Sequence, residues 1–163
     1  MWIEYEVDDS WDEDILYQRI KDVYNKHNSL WIAYDLDDTV RPYRSSSCED
    51  TIRIIKRCRD VLNAHFIVYT ANPDKKANIK FLEDNDLPYE AINCYPDSFK
   101  ISPFEYQYKN AVYFKQDIPK LYYNILLDDK SCGLERACEI LDKLCDEVEM
   151  IKNDEKLKQL NNF

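Results

Sequence analysis

Short apolar runs that alternate with helical patterns constrain the fold of this chain more than any other feature. Each run is almost continuously apolar, which is typical of strands in a parallel sheet that helices cover on both faces. The four clearest runs are residues 30–34, 65–69, 111–114 and 122–127, and a weaker one is 90–93. We therefore predict an α/β fold, a Rossmann-like three-layer sandwich around a mainly parallel sheet.

Four helical segments accompany these runs. The clearest follows Gly133 and repeats apolar residues every three or four positions, which predicts one apolar stripe that packs on the sheet. Its stripe consists of Leu134, Ala137, Leu141, Leu144 and Val148. One further predicted helix covers residues 11–27. A second has Ile52, Ile55 and Leu62 on its inner side, and residues 47–50 before it resemble a capping box. A third begins at Pro73, a residue favoured in the first helical turn, and carries Ala77, Phe81 and Leu82.

The length of 163 residues predicts one domain with one core over residues 1–163. We expect an N-terminal extension and helix at 1–28, the core at 29–150, and a tail at 151–163 that extends the last helix or frays. No apolar stretch approaches the roughly 20 residues that cross a bilayer. The N-terminus lacks the basic start and apolar segment of a signal peptide, so we expect a cytoplasmic protein whose six cysteines are reduced, mostly core-filling thiols.

Charge and glycine content exclude several functional classes. The formal net charge is −10, which opposes general binding to nucleic acids or anionic membranes. The chain contains one glycine, Gly133, so it carries neither a G-x-G-x-x-G motif nor a Walker-type phosphate loop. A nucleotide cofactor held by such a loop is therefore excluded.

Three predicted strands end in polar residues. The first runs into Asp35 and Asp37, the second into Thr70-Ala71-Asn72, and the last into Asp128-Asp129. The carboxyl ends of parallel strands share one edge of the sheet, where ligands bind in such folds. Each segment alone has a simpler interpretation, because Asp and Thr are common in turns and at helix starts. Carboxylates gathered at one edge repel each other unless a cation neutralises them, so together the segments predict a site for a cation and a phosphate.

These segments resemble the motifs of the haloacid dehalogenase (HAD) superfamily. Residues 32–40 are similar to its first motif, an apolar strand followed by D-x-D-x-T; Thr70 after its strand resembles the second; Asp128-Asp129 resembles the fourth. Residues 70–73, 87–93 and 120–129 resemble small members of the superfamily that bacteriophages often encode, which would place the protein in the host cytoplasm. Many members have glycine at the position of Asp38, so this chain departs from the pattern there.

The resemblance implies a Mg²⁺-dependent phosphomonoester hydrolase. Asp35 would be the nucleophile that forms an aspartyl-phosphate, and Asp37 the general acid and base. Mg²⁺ would bind the carboxylates of Asp35 and Asp128 and the Asp37 backbone carbonyl, with Asp129 acting through a water. Thr70 and the backbone of Ala71 and Asn72 would bind the phosphoryl oxygens.

The lysine of the third motif has two candidates. Lys120 lies eight positions before Asp128, as in the phage-like members, whereas Lys115 lies thirteen before it and directly follows a predicted strand. We favour Lys120 as the residue that offsets charge on the transferring phosphoryl group.

The motif intervals bear on the substrate. Asp35 and Thr70 are 35 residues apart, and Thr70 and Lys120 are 50 apart, which leaves no room for a large cap domain. Phe99, Phe104, Tyr106 and Tyr108 could instead form an aromatic lip that stacks on a base or sugar. We therefore expect an open site for a nucleotide or another phosphorylated metabolite. Arg41 and Arg44 are candidates for contacting its anionic remainder, or else ordinary surface arginines.

Other functional classes remain open from sequence. One is a non-catalytic, metal-binding regulatory or interaction domain that keeps the acidic edge. Response-regulator receivers also combine acids, Thr and Lys, but their acidic pair precedes a separate acceptor strand, whereas the D-x-D here is on the first long apolar strand. A second alternative is a phosphatase for nucleic-acid ends, supported by the basic residues Arg53, Lys56, Arg57 and Arg59.

Overall fold

The computed structural model describes residues 13–44, 48–94, 123–130 and 133–161. These residues form four helices and a four-stranded sheet in the order β3-β2-β1-β4, in which all three strand pairs are parallel. The elements are α1 (Glu13–His27), β1 (Trp31–Tyr34), α2 (Glu49–Leu62), β2 (His65–Val68), α3 (Lys75–Asp84), β3 (Ala91–Ile92), β4 (Ile125–Leu127) and α4 (Leu134–Asn161). The prediction of an α/β protein with a parallel sheet is confirmed.

The central strand β1 lies between β2 and β4. Its residues Ile32, Ala33 and Tyr34 are all fully buried. Successive side chains of a strand point to opposite faces, so both faces of the sheet are covered at this strand. The same holds for Phe66, Ile67 and Val68 of β2. This coverage explains why these runs are continuously apolar and do not alternate. The strand predicted at 111–114 lies outside the described residues.

Two helix starts differ from the predictions. Helix α3 begins at Lys75 and not at Pro73, because the Asp74 side chain caps it by accepting the Ala77 N–H at 3.0 Å. Helix α2 begins at Glu49, and its N-cap is Cys48, which makes no side-chain capping bond; Ser47 of the sequence that resembles a capping box lies outside the described residues. Gly133 precedes α4 as predicted, with φ +148°.

Helices α2 and α4 pack side by side and run in the same direction. Arg53 pairs with Asp142, the buried Cys58 thiol lies 4.0 Å from that of Cys145, and Lys152 donates to the Val61 carbonyl at 2.8 Å. The predicted inner stripe of α4 is largely confirmed, since Ala137, Leu141, Leu144 and Val148 are all buried.

Beyond its contact with α2, helix α4 continues through residues predicted as a tail. Residues 149–160 are exposed at every position, although all are helical. Of the two predicted alternatives for this segment, extension of the last helix and fraying, the structure shows the extension as far as Asn161. Among the helices that the structure describes, none combines the length and the apolar character that a membrane crossing requires.

Candidate active site

The backbone brings the three predicted segments to one edge of the sheet. The Asp35 N–H donates to the Leu127 carbonyl at 2.9 Å, which aligns the ends of β1 and β4. On the other side of β1, the Tyr69 N–H donates to the Tyr34 carbonyl at 2.9 Å. The residues that follow β2, β1 and β4 are therefore neighbours at the carboxyl edge.

Three carboxylates converge at this edge. One oxygen from each of Asp35, Asp128 and Asp129 lies within 4.8 Å of the others. Opposite ligands of a bound Mg²⁺ ion are about 4.2 Å apart, and hard divalent cations prefer carboxylate oxygens. The donor set therefore fits such an ion. It includes Asp129 as a candidate direct ligand, for which we had predicted a role through water.

Asp35 is the most buried residue of the three, with an exposed fraction of 8%. Burial raises the pKa of Asp35, the Leu36 backbone N–H acts in the opposite direction, and the neighbouring Asp128 raises it further. The charged form of Asp35 is thus destabilised by its surroundings. A cation bound between the carboxylates would reverse this effect, because it favours the ionised form.

Thr39 connects the first motif to the acidic pair after β4. Its side chain is fully buried, and its hydroxyl oxygen accepts the Asp129 N–H at 3.0 Å. The same hydroxyl lies 3.5 Å from an Asp129 carboxylate oxygen, to which it can donate. The position of Asp129 relative to Asp35 is therefore fixed through a threonine for which sequence analysis had assigned no role.

Asp38 shapes the turn that follows the nucleophile candidate. Its φ is +63°, in the left-handed region where glycine is favoured and where aspartate is tolerated better than most residues. This conformation explains how Asp can replace the glycine that the resemblance leads one to expect. Its carboxylate accepts the backbone N–H groups of Tyr43 at 2.9 Å and Arg44 at 2.5 Å, so the extra charge organises the loop.

Asp37 is not one of the three clustered carboxylates and pairs with Arg41. The guanidinium contacts one Asp37 carboxylate oxygen through both Nε and Nη2, each at 2.7 Å. The Arg41 guanidinium is therefore engaged by the predicted general acid and is not simply solvated at the surface. Its guanidinium also lies over the Phe81 ring, 5.4 Å from the centroid.

The turn after β2 is more internally bonded than predicted. We predicted that Thr70 and the backbone of Ala71 and Asn72 bind phosphoryl oxygens, which requires N–H groups without partners in the protein. The Thr70 N–H instead donates to Asn93 Oδ1 at 2.8 Å, and the Asn72 N–H donates to Thr70 Oγ1 at 3.2 Å. Of the three N–H groups, only that of Ala71 is unused by these contacts. The Thr70 hydroxyl accepts in this turn, which leaves its own proton to donate to a phosphoryl oxygen.

Two asparagines that sequence analysis missed hold this edge together. Asn93 donates through Nδ2 to the Thr70 carbonyl at 2.7 Å, besides accepting its N–H. Asn78, on α3, is 1% exposed; it donates to the Asn72 carbonyl at 3.0 Å and accepts from Arg41 Nη1 at 3.3 Å. Asn93 ends a predicted strand, which was a usable signal. Nothing in the sequence distinguishes Asn78 from a surface helix residue.

Lys115, Lys120 and the four aromatic residues of the predicted lip lie outside the described residues. Arg44, the other arginine near the first motif, lies over the ring of Tyr43, 5.6 Å from its centroid, and Tyr43 itself is 73% exposed.

Most of the basic side chains on α2 are engaged within the protein. Arg57 pairs with Asp142, Asp146 and Glu149 of α4, and Arg53 with Asp142. Arg59 pairs with Asp60 and Asp86. Guanidinium groups already neutralised by carboxylates contribute little to phosphate-backbone binding. These ion pairs weigh against the nucleic-acid-end alternative.

Comparison with known proteins does not assign a family to the chain, because it matched no protein-family profile, no curated protein and no solved structure.

Proposed function

We propose that this protein is a Mg²⁺-dependent phosphomonoester hydrolase of the HAD type. The observation that carries the proposal is the carboxylate cluster of Asp35, Asp128 and Asp129, with oxygens within 4.8 Å of each other, at the edge where the adjacent strand presents Thr70. A cation site next to a hydroxyl donor suits a phosphate group, which carries several negative oxygens.

Asp35 is the nucleophile in this proposal. One carboxylate oxygen attacks phosphorus, the bond from phosphorus to the ester oxygen breaks, and Asp37 donates a proton to the departing oxygen. Asp37 then takes a proton from a water that attacks the aspartyl-phosphate, which releases inorganic phosphate and restores Asp35. Asp35, Asp128 and Asp129 would hold Mg²⁺, which supplies charge neutralisation between the nucleophile and the phosphoryl oxygens.

The remaining groups act on the transferring phosphoryl group. Thr70 donates its hydroxyl proton and Ala71 its N–H to phosphoryl oxygens, and Lys120 offsets developing negative charge. The exposed Tyr43 and Tyr69, after β1 and β2, support a substrate with a stacking group such as a nucleoside monophosphate. We place a nucleotide or another phosphorylated metabolite first among the substrates.

A metal-binding domain without turnover is the second candidate. The ion pair between Asp37 and Arg41 favours this second candidate, because a general acid must carry a proton, whereas the positive charge of Arg41 stabilises the ionised carboxylate. Such a domain would bind Mg²⁺ but hydrolyse nothing.

A hydrolysis screen separates the two candidates. Phosphorylated metabolites, nucleotides and oligonucleotides with 5′- or 3′-phosphates would be incubated with Mg²⁺ or with a chelator, and released phosphate measured. The proposal expects Mg²⁺-dependent release, fastest from nucleoside monophosphates. Mg²⁺ binding without release from any substrate would support the regulatory domain instead.

A further inference from the structure

We propose that Asn78 is a positioning residue that acts on the general acid Asp37 through Arg41. The inference rests on the proposed function. It adds a residue from α3, which carries none of the predicted motifs.

The contacts of Asn78 lead in two directions. Its Oδ1 accepts from Arg41 Nη1 at 3.3 Å, and Arg41 in turn holds the Asp37 carboxylate at 2.7 Å. Its Nδ2 donates to the Asn72 carbonyl at 3.0 Å, in the turn that Thr70 begins. Asn78 therefore lies between the acid and the phosphate-binding turn, and both polar atoms of its side chain are used.

Burial makes this arrangement specific. Asn78 is 1% exposed, and a buried amide costs free energy unless its groups are bonded. Its backbone position is fixed, because its N–H donates to the Asp74 carbonyl at 3.0 Å within the first turn of α3. A rigid amide thus limits where the Arg41 guanidinium lies, and Arg41 limits where Asp37 lies.

The dependence on leaving group distinguishes this role from a purely structural one. An alkoxide leaving group needs a proton in the transition state, whereas a stabilised phenolate such as p-nitrophenolate needs little help. If Asn78 acts through the general acid, its loss slows alkyl phosphates more than aryl phosphates. A general loosening of the fold slows both alike.

The experiment compares Asn78→Ala with wild type on p-nitrophenyl phosphate and on an alkyl phosphate, with Mg²⁺ present. The measured quantity is kcat/KM, which reports the first transfer step and not hydrolysis of the intermediate. The expected loss is about 10-fold greater for the alkyl phosphate than for the aryl phosphate, part of the 10²–10⁴-fold that a general acid contributes. In an Asp37→Asn background, Asn78→Ala should cause no further leaving-group-dependent loss.

The matched control is Asn85→Ala, at the other end of α3. Asn85 also bonds a backbone carbonyl through its side chain, that of Phe81 at 2.8 Å, and among the described hydrogen bonds none joins it to Arg41 or to the turn after β2. Thermal unfolding of both variants is measured. Asn85→Ala should lose stability comparably while keeping the wild-type ratio between the two substrates.

Two further variants keep the test decisive if Asn78→Ala does not fold. Asn78→Asp retains the acceptor for Arg41, so it should keep the wild-type ratio between substrates, whereas Arg41→Gln should reproduce the selective loss for the alkyl phosphate. Equal losses on both substrates in Arg41→Gln, a selective loss for the alkyl phosphate in Asn78→Asp, or additive effects of Asn78→Ala with Asp37→Asn would overturn the inference. A wild-type protein that releases no phosphate from either substrate would instead remove the proposed function itself.

Discussion

The side-chain amide of Asn93 pairs with the backbone of Thr70 in both directions, accepting its N–H at 2.8 Å and donating to its carbonyl at 2.7 Å. Asn93 adopts φ +55°, and its own N–H donates to the Val68 carbonyl at 2.8 Å. The amide thus continues the ladder between β2 and β3 by one residue where the strands themselves have ended. It fixes the turn that presents the Thr70 hydroxyl.

Removing this pairing should impair turnover beyond its effect on stability. We predict that Asn93→Gly, which keeps the positive φ without strain, lowers kcat/KM by about 10- to 100-fold, because the Thr70 hydroxyl is no longer held in place. Steady-state kinetics with Mg²⁺ and an aryl phosphate measure the effect. Asn63→Gly is the matched control, since Asn63 also has a positive φ of +50° but caps α2. Equal activity in both variants would show that the amide pairing has no catalytic role.

Thr39 should govern metal affinity. Thr39→Val keeps the shape but removes the acceptor of the Asp129 N–H and the contact to its carboxylate. We expect Mg²⁺ affinity to fall by about 10- to 100-fold, as for other groups that orient metal ligands. Titration of Mg²⁺ followed by calorimetry measures it. The control is Thr51→Val on α2, a buried threonine that is not hydrogen-bonded to Asp129 in the described contacts. Unchanged affinity in Thr39→Val would mean that Asp129 needs no such support.

Stability without metal should depend on the charge of Asp35. Because its pKa is raised in the folded state, mainly by burial, its contribution to stability is fully present below the unfolded pKa and is lost as the pH rises through the folded pKa. Asp35→Asn cannot ionise. It should therefore be more stable than wild type at neutral pH, and the difference should vanish at acid pH. Chemical denaturation with a chelator, across pH, measures the free energy of unfolding.

Asp142→Asn provides a control of opposite sign. Burial raises the pKa of Asp142, but hydrogen bonds from Arg53 and Arg57 outweigh this and leave it lowered. Its stability contribution is therefore present above the unfolded pKa and is lost as the pH falls through the folded pKa. Asp142→Asn should destabilise the protein at neutral pH. A neutral-pH loss for Asp35→Asn as well would contradict our account of Asp35.

The two third-motif lysines can be separated by kinetics. Lys120→Ala should lower turnover by about 10²-fold or more, as when other transition-state contacts are lost. Lys115→Ala, with the same change in charge, should have a much smaller effect. The reverse order would assign the role to Lys115.

Sequence predicted the strands and the edge because both depend on local pattern. Continuous apolar runs such as residues 30–34 follow from burial on two faces, and parallel pairing then forces Asp35 and Asp128 to neighbouring positions. The observed strands are shorter than the predicted ones. A strand ends where its backbone hydrogen bonds to the neighbouring strand end, and the pattern of side chains does not encode that point.

The parts that sequence could not supply depend on distant contacts. Asn78 is 37 residues from Arg41 along the chain, and Asn93 is 23 from Thr70. An asparagine in a helix or turn has many ordinary uses, so Asn78 carries no recognisable pattern, and the position of Asn93 at the end of a predicted strand does not reveal its partner. The pairing of Asp37 with Arg41 has helical i,i+4 spacing, but it occurs in a turn, where that spacing does not by itself imply contact.

Phosphate release by wild type and Asp35→Asn tests the central claim most directly. An aryl phosphate is incubated with each protein in Mg²⁺ or in chelator, with Asp84→Asn on the α3 surface as the matched control and circular dichroism to verify folding. We predict Mg²⁺-dependent release by wild type and Asp84→Asn, and none above background from folded Asp35→Asn, because an amide cannot act as the nucleophile. Wild-type rates in Asp35→Asn, or release that survives chelation, would contradict the assignment of Asp35 and of the metal.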